Sequence, residues 1–259
     1  MIYNGCMSAW SRKRQGILAG IAFIMSILVV FGIYTFFFHK PSTCSDGVRN
    51  GIEEGIDCGG SCVRVCPFQT SEAQIVWARG FEISDGVYNL AAVVKNPNFD
   101  VQLVTQYKFE AFNEENLLIK ELFGSATIPP LGTLPLFEPT ILTGSQNIAR
   151  VFLRLVGEPT WTRAQPIEQT VFVTDRTLSD TDSIPKLSVT LQNRGITPAR
   201  DLAIFSVLYN IDGNVVQSSR TYVPFIERDS TREAFFTWPE AFTGDVTKID
   251  VYITEAPLL

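Results

Sequence analysis

Four cysteines in a short glycine-rich stretch are the residues best placed to do chemistry. Cys44, Cys58, Cys62 and Cys66 lie in the run CSDGVRNGIEEGIDCGGSCVRVC, which has too few apolar residues for a core of its own. Cross-links must then order it, so we expect two disulfides, with three pairings open. A four-thiolate zinc site is the alternative, but its cysteine pairs normally have about two intervening residues, whereas three separate Cys58 from Cys62.

Oxygen ligands are dense in the same stretch. Asp46, Asn50, Glu53 and Asp57 alternate with glycines, as a loop wrapping a hard cation such as Ca²⁺ would require. Their order does not match an EF-hand loop. A solvated acidic loop whose glycines serve turns is the favoured interpretation, and a Ca²⁺ site at these four residues is the other.

The stretch resembles a short cysteine motif found beside membrane anchors and between modules of bacterial surface proteins. The matching positions are Cys44, Asp46, Gly47, Asn50, Gly51, Glu53 or Glu54, Gly55, Asp57, Cys58, Gly59, Gly60, Cys62 and Cys66, with one extra residue before the last cysteine. The resemblance implies a location next to a membrane anchor and brings no activity.

An uncharged apolar run precedes the cysteines. Residues 16–38 read GILAGIAFIMSILVVFGIYTFFF, and a helix of that length crosses a hydrocarbon core of about 30 Å. A cleaved signal has an apolar region of about 7 to 15 residues followed by small residues, whereas this run ends in phenylalanines, His39 and Lys40. We predict a retained anchor from Gly16 to Phe38.

The flanking charges set the expected orientation. Three basic residues at 12–14 outweigh Lys40, so residues 1–15 are predicted to be a cytoplasmic tail and residues after about 40 extracytoplasmic. The oxidising exterior then agrees with disulfides in the collar, our name for residues 41–67.

Charge and histidine content exclude several functions. The chain has 21 basic and 27 acidic residues, and no acid among the first 40 positions, so the exterior part is strongly acidic. Nucleic-acid binding there is improbable. The single histidine, His39, lies beside the membrane, which leaves no Ser-His-acid triad, and the sequence contains no phosphate-binding glycine loop. We expect no catalytic residues and no cofactor.

After Pro67 the pattern is that of antiparallel sheets, written twice. In VQLVTQYKFEAF (101–112) apolar and polar residues alternate, as in a strand with one buried face. At an offset of 97 positions, Asn96 matches Asn193 and Phe112 matches Tyr209. The fold class is therefore mainly β, with two tandem immunoglobulin-like β-sandwiches of about seven strands each, at 72–164 and 165–259. We call these the first and second repeats.

The second repeat carries the motifs LQNRG (191–195), AIFSVLYNIDGNVV (203–216) and FFTWP (235–239), and resembles the FxLYD domain, a bacterial β-sandwich module. SVLYN stands in place of the Phe-x-Leu-Tyr-Asp string, with Asn210 where the Asp would be. The first repeat, with KNPN at 95–98, looks like the related late-embryogenesis-abundant type 2 sandwich. The resemblance implies structural roles only: Tyr209 packs at a strand end and Asp212-Gly213 supplies positive φ in a hairpin.

One proline-rich segment of the first repeat is apolar. Four prolines between Ile128 and Pro139 favour a loop across the top or edge of the sandwich. If exposed, Leu134, Leu136 and Phe137 would form a contact patch; if folded inward they seal the core, which we favour.

These features predict a single-pass, membrane-anchored, extracytoplasmic binding or scaffolding protein of the cell envelope that is not an enzyme. Its expected partners are the membrane and either other envelope proteins or a second copy of itself. The alternatives are an accessory subunit of an envelope assembly or transport complex, and a sandwich that binds a lipid or small ligand inside.

Overall fold

The computed structural model describes residues 9–38, 43–166 and 168–255. His39, Lys40 and Cys6 lie outside the described residues. The elements in chain order are α1 (Ala9–Phe38), β1 (Arg64–Val65), β2 (Gln74–Ser84), β3 (Val87–Lys95), β4 (Val101–Phe112), β5 (Leu118–Ile128), β6 (Thr133–Leu142), β7 (Arg150–Arg163), β8 (Val171–Ser179), β9 (Lys186–Asn193), β10 (Ala199–Tyr209), β11 (Val215–Ile226), β12 (Thr231–Thr237) and β13 (Lys248–Glu255).

Helix α1 contains the predicted anchor and begins before it. The segment Arg14–Phe36 has a mean hydropathy of 2.6, and none of its most apolar window is buried by protein. A helix that is apolar on all sides and lacks protein cover has no favourable place in water. By length and composition it is able to cross a membrane.

The strands of each repeat form two antiparallel sheets. In the first repeat the sheet orders are β1-β7-β4-β5 and β2-β3-β6, and in the second repeat they are β11-β10-β13 and β12-β9-β8. Within residues 43–166 and 168–255, each repeat has six main strands where about seven were expected, and the two-residue β1 of the collar adds to one sheet of the first repeat. Phe109 and Trp161 are buried in the first core, and Ile204 and Trp238 in the second.

Two equivalent asparagines close the same corner in both repeats. Asn96 Nδ2 donates to the carbonyl oxygens of Val101, Ile128 and Pro129, at 2.8, 3.2 and 3.0 Å. Asn193 Nδ2 donates likewise to the carbonyl oxygens of Thr197, Ile226 and Glu227, at 2.8, 3.1 and 3.3 Å. Both asparagines are fully buried, so each satisfies backbone groups that water cannot reach.

The β10–β11 hairpin repeats the β4–β5 hairpin at the same offset. Asn113 and Asn210 each bond through their backbone N–H to the residue four positions on. Asn116 and Gly213 occupy the same turn position with φ of 62° and 76°. Gly213 therefore supplies the positive φ expected from Asp212-Gly213.

A third apolar cluster joins the repeats, and we call it the seam. It combines outward-facing residues of the first repeat with outward-facing residues of the second: Phe81, Ala91 and Phe137 with Ala203, Phe205, Val207 and Val215. The sheet β2-β3-β6 thus packs face to face on the sheet β11-β10-β13. Arg79 Nη1 donates to the carbonyl oxygen of Val215 at 3.3 Å, and Arg220 lies over the ring of Phe137 at 5.6 Å.

The proline-rich segment forms strand β6 from Thr133 onward, where a loop was expected. Pro135 pairs with Val93 inside the β3–β6 ladder. Proline is tolerated because β6 is an edge strand, so its missing N–H leaves no neighbouring strand unpaired. The ladder slips beside Pro139, where Thr140 takes a φ of 59° and its N–H bonds to Asn89 Oδ1.

The four collar cysteines are all disulfide-bonded, so none of them is available as a zinc ligand. Cys58 and Cys66 form one bridge, which encloses β1. Strand β1 pairs with the end of β7, and Val63 accepts a backbone hydrogen bond from Arg163 at 2.8 Å. Residues 63–65 of the collar are thereby attached to the first repeat.

Candidate functional site

The acidic residues proposed as Ca²⁺ ligands bind backbone N–H groups of their own loop. Both carboxylate oxygens of Asp57 accept from the N–H of Gly47, at 3.1 and 3.0 Å. Glu53 Oε2 accepts from the N–H of Asn50 at 3.2 Å, and Asp46 Oδ1 from that of Val48 at 3.0 Å. These side chains hold the turns of what we call the acidic loop, residues 43–57. Ca²⁺ binding stays a prediction.

The structure places the three residues of the apolar patch inside the molecule rather than on its surface. Leu134 and Leu136 pack on the first core, and Phe137 packs in the seam. Their segment is strand β6, whose alternate side chains point to opposite faces. The contact that Phe137 makes is therefore with the second repeat of the same chain.

A cleft of 470 Å³ opens at one end of the seam. Strand β2 contributes Trp77, the β10 end contributes Tyr209, and β13 contributes Lys248, Asp250 and Tyr252. Lys248, Asp250 and Tyr252 share one face of β13 because successive side chains in a strand alternate. Aromatic rings and a charged pair thus converge in one opening.

The charges in the cleft are already paired. Lys248 Nζ lies 2.7 Å from Asp250 Oδ2, and this hydrogen bond raises the pKa of Lys248. The same ammonium lies 4.8 Å from the ring centroid of Tyr209, within cation–π range.

The cleft tyrosines are held protonated. Burial raises the pKa of Tyr209 and of Tyr252, and nearby Asp250 adds to both shifts. Trp77 Nε1 is buried and makes no hydrogen bond of normal geometry to a described residue. The cleft therefore offers neutral hydroxyls and rings, which suit an uncharged polar ligand.

A second opening of 270 Å³ lies where the β2–β3 hairpin meets residues 238–243. Gln217 and Trp238 border it, and Gln217 Oε1 and Trp238 Nε1 are buried without a hydrogen-bond partner among the described residues.

Four acids lie close together in the sequence of the second repeat. Glu227, Asp229 and Glu233 are exposed on the surface, and Glu240 borders the second opening.

Sequence reasoning missed the seam and both openings. The signal for the seam was the sequence of strand β10, because its segment DLAIFSVLY lacks the alternation of apolar and polar residues found in β4. A continuous apolar run indicates a strand covered on both faces. The inward residues Leu202, Ile204 and Leu208 fill the second core, while Phe205 and Val207 between them fill the seam.

No protein-family model and no curated protein matches this chain. Among solved structures, red sea bream transglutaminase is similar at 13% identity over 71% of this chain and 29% of its own, with a TM-score of 0.25. A glycoside hydrolase family 2 β-glucuronidase is similar at 9% identity over 68% of this chain and 23% of its own, also with a TM-score of 0.25. The chain thus spans less than a third of either structure, and likenesses at this level carry no argument about function.

Proposed function

We propose that the protein is a membrane-anchored, extracytoplasmic binding or scaffolding protein of the cell envelope, without catalytic activity. The observation that supports it is the order of two features along the chain. An apolar helix with no protein cover is followed, after a few residues, by a segment whose four cysteines are all disulfide-bonded. Disulfides persist in oxidising compartments, so the collar belongs outside the cytoplasm.

The paired repeats favour binding over chemistry. Their cores are filled by side chains, and the seam joins them through a third apolar cluster. Such a pair offers a broad surface for protein contacts, and the helix tethers it to the membrane. We propose other envelope proteins or a second copy as its partners, and membership of the FxLYD group for the second repeat.

The sidedness test uses the chain's own cysteines. Intact cells are treated with a membrane-impermeant maleimide, with and without prior reduction, and labelled sites are mapped by mass spectrometry. Cys44, Cys58, Cys62 and Cys66 should react only after reduction, and Cys6 only after permeabilisation. Free alkylation of the four collar cysteines, or labelling of Cys6 in unbroken cells, would refute the proposal.

The partner side of the proposal has its own test. Crosslinking in intact cells followed by mass spectrometry should return crosslinked envelope proteins or crosslinked copies of this chain. An unrelated apolar span in place of residues 16–38 distinguishes the accessory-subunit alternative. A surface binder keeps its crosslinks after that exchange, whereas a subunit that docks through the span loses them.

Small-ligand binding is the second candidate, and the cleft of Trp77, Tyr209 and Tyr252 favours it. This cleft lies between the repeats rather than inside a sandwich, which changes where the ligand is expected. A thermal-shift screen of uncharged saccharides and polyols against the full chain tests it. Stabilisation should disappear in Tyr252→Ala and persist in Tyr222→Ala, whose exposed ring lies on the same repeat.

A further inference from the structure

The acidic loop exposes its aliphatic side chains, together with the polar residues Ser45, Asp46, Arg49 and Glu54. Val48, Ile52 and Ile56 are 58%, 68% and 62% exposed. Asn50, Glu53 and Asp57, which alternate with them, are half-buried and hydrogen-bonded within the loop. Single exposed aliphatics are common on protein surfaces, but three in so short a segment are not.

The hydrogen bonds of the loop keep the aliphatic side chains outside. Gly47 is fixed to Asp57 through two contacts, and Val48 and Asn50 bond to Asp46. These bonds span the loop from its start to its end. They fix the backbone turns at Gly47, Val48 and Asn50, between which Val48 is exposed.

Chain length limits what this loop can touch. Thr43 follows the end of α1 at Phe38 by five positions, which in an extended chain span at most about 18 Å. The polar interface of a bilayer is about 5 to 8 Å deep on each side, so the loop stays within reach of it. Aliphatic side chains gain free energy by entering that interface.

We propose that Val48, Ile52 and Ile56 seat the acidic loop on the outer surface of the bilayer, an inference that rests on the proposed membrane anchor. The occupant of this surface is the lipid interface itself. Contact is apolar rather than electrostatic, because the loop's own carboxylates repel anionic headgroups. The loop itself is thus held at the level of the lipid headgroups.

Photocrosslinking of the full chain in phosphatidylcholine nanodiscs tests this seating. Benzoylphenylalanine is placed at Ile52 or Ile56, at Phe31 within the helix, and at Ile196, an even more exposed aliphatic of the second repeat. Lipid adducts at Ile52 and Ile56 should approach the yield at Phe31 and exceed that at Ile196 by about tenfold.

Each other outcome overturns the proposal. If lipid adducts form at Phe31, but the yields at Ile52 and Ile56 do not exceed the yield at Ile196, the anchor stands and the seating is refuted. Protein adducts alone at Ile52 would show a protein partner instead. No lipid adduct at Phe31 would refute the anchor and the seating together. Mass mapping of the Cys58–Cys66 bridge checks that each variant has folded.

Discussion

Equivalent faces of the two repeats differ according to whether the other repeat covers them. On the covered face of the first repeat, Ala91 and Val93 lie beside Phe137; 97 positions on, the free face of the second repeat has Ser188 and Thr190. On the other pair of sheets, Phe205 and Val207 of the seam correspond to Lys108 and Glu110, which face out. The two repeats therefore share a backbone fold, and their outward side chains differ according to whether another sheet covers them.

The free face of the first repeat is a network of charges. Glu110 lies 2.7 Å from Lys108 and 2.5 Å from Arg154, and Lys108 also lies 2.8 Å from Glu121. Burying such a set against another sheet would strip water from every charge. The network therefore opposes a third sandwich stacking where the seam would place one.

The largest expected effect concerns a position that holds a phenylalanine in both repeats. Phe137 pairs with Ala91 and is 8% exposed in the seam, while Phe235 pairs with Ser188 and is 45% exposed. Phe137→Lys should lower the free energy of unfolding by about 3 to 5 kcal/mol, because it buries an unpaired charge. Phe235→Lys should change it by about 1 kcal/mol or less.

Urea unfolding of the full chain in detergent micelles, followed by tryptophan emission, measures both variants. Trp161 and Trp238 report on the first and second cores. Similar losses for Phe137→Lys and Phe235→Lys would show that the seam does not stabilise the pair.

The next effect concerns what the repeats share. Asn96→Ala and Asn193→Ala should each cost about 2 to 4 kcal/mol, since each leaves three backbone carbonyls without a donor in a dry corner. The same denaturation assay applies, and the two losses should agree within about 1 kcal/mol. A large inequality would contradict the equivalence of the two corners, whereas Asn98→Ala, at a more exposed neighbour, serves as the milder control.

A smaller difference is expected in the hairpins. Gly213→Ala puts a Cβ into a turn position with φ of 76° and should cost about 1 kcal/mol. Asn116→Gly, at the matching position of the first repeat, should be neutral or slightly stabilising. Thermal unfolding midpoints compare them, and an unchanged midpoint in Gly213→Ala would show that the turn relaxes.

The smallest effect is a dependence on pH confined to the first repeat. The hydrogen bond from Lys108, together with Arg154, lowers the pKa of Glu110. Its contribution to stability is therefore present above the carboxyl's unfolded pKa and is lost as pH falls through the folded one. The stability difference between the native chain and Glu110→Gln should shrink between pH 6 and about pH 3.

The outcome would be checked by urea unfolding at several pH values and at two salt concentrations. Val207 occupies the equivalent place in the second repeat and does not titrate, so Val207→Leu should show no such trend. If the stability difference between the native chain and Glu110→Gln stays constant with pH, the ion pairs of Glu110 do not contribute to stability.

Local patterns in the sequence predicted much of the fold. The apolar run predicted the helix, and alternation in 101–112 predicted β4. The offset of 97 positions predicted that Asn96 and Asn193 are equivalent. Disulfides followed from the poverty of apolar residues in the collar. In each case the information lies within one element or between two copies of it.

What escaped prediction depends on contacts between distant elements. The seam is formed by faces from separate repeats, and a residue such as Phe137 looks the same in sequence whether a sheet covers it or water does. The prolines of β6 suggested a loop because their tolerance depends on the strand being at an edge, which pairing order decides. The cleft between the repeats depends on the seam and on the strand order, so no single sequence motif predicts that Trp77, Lys248 and Tyr252 are neighbours.

The attachment of the collar to β7 decides how a pulling force would travel through the molecule. Strand β1 pairs with Trp161 and Thr162, and the carbonyl oxygen of Val63 accepts a hydrogen bond from the N–H of Arg163. These residues lie just before the chain continues into the second repeat. Tension between the tether and a partner held by the second repeat would pass across this short junction. The load would fall on the pairing of β1 with the end of β7, and strands β2 to β6 of the first repeat lie outside this short path.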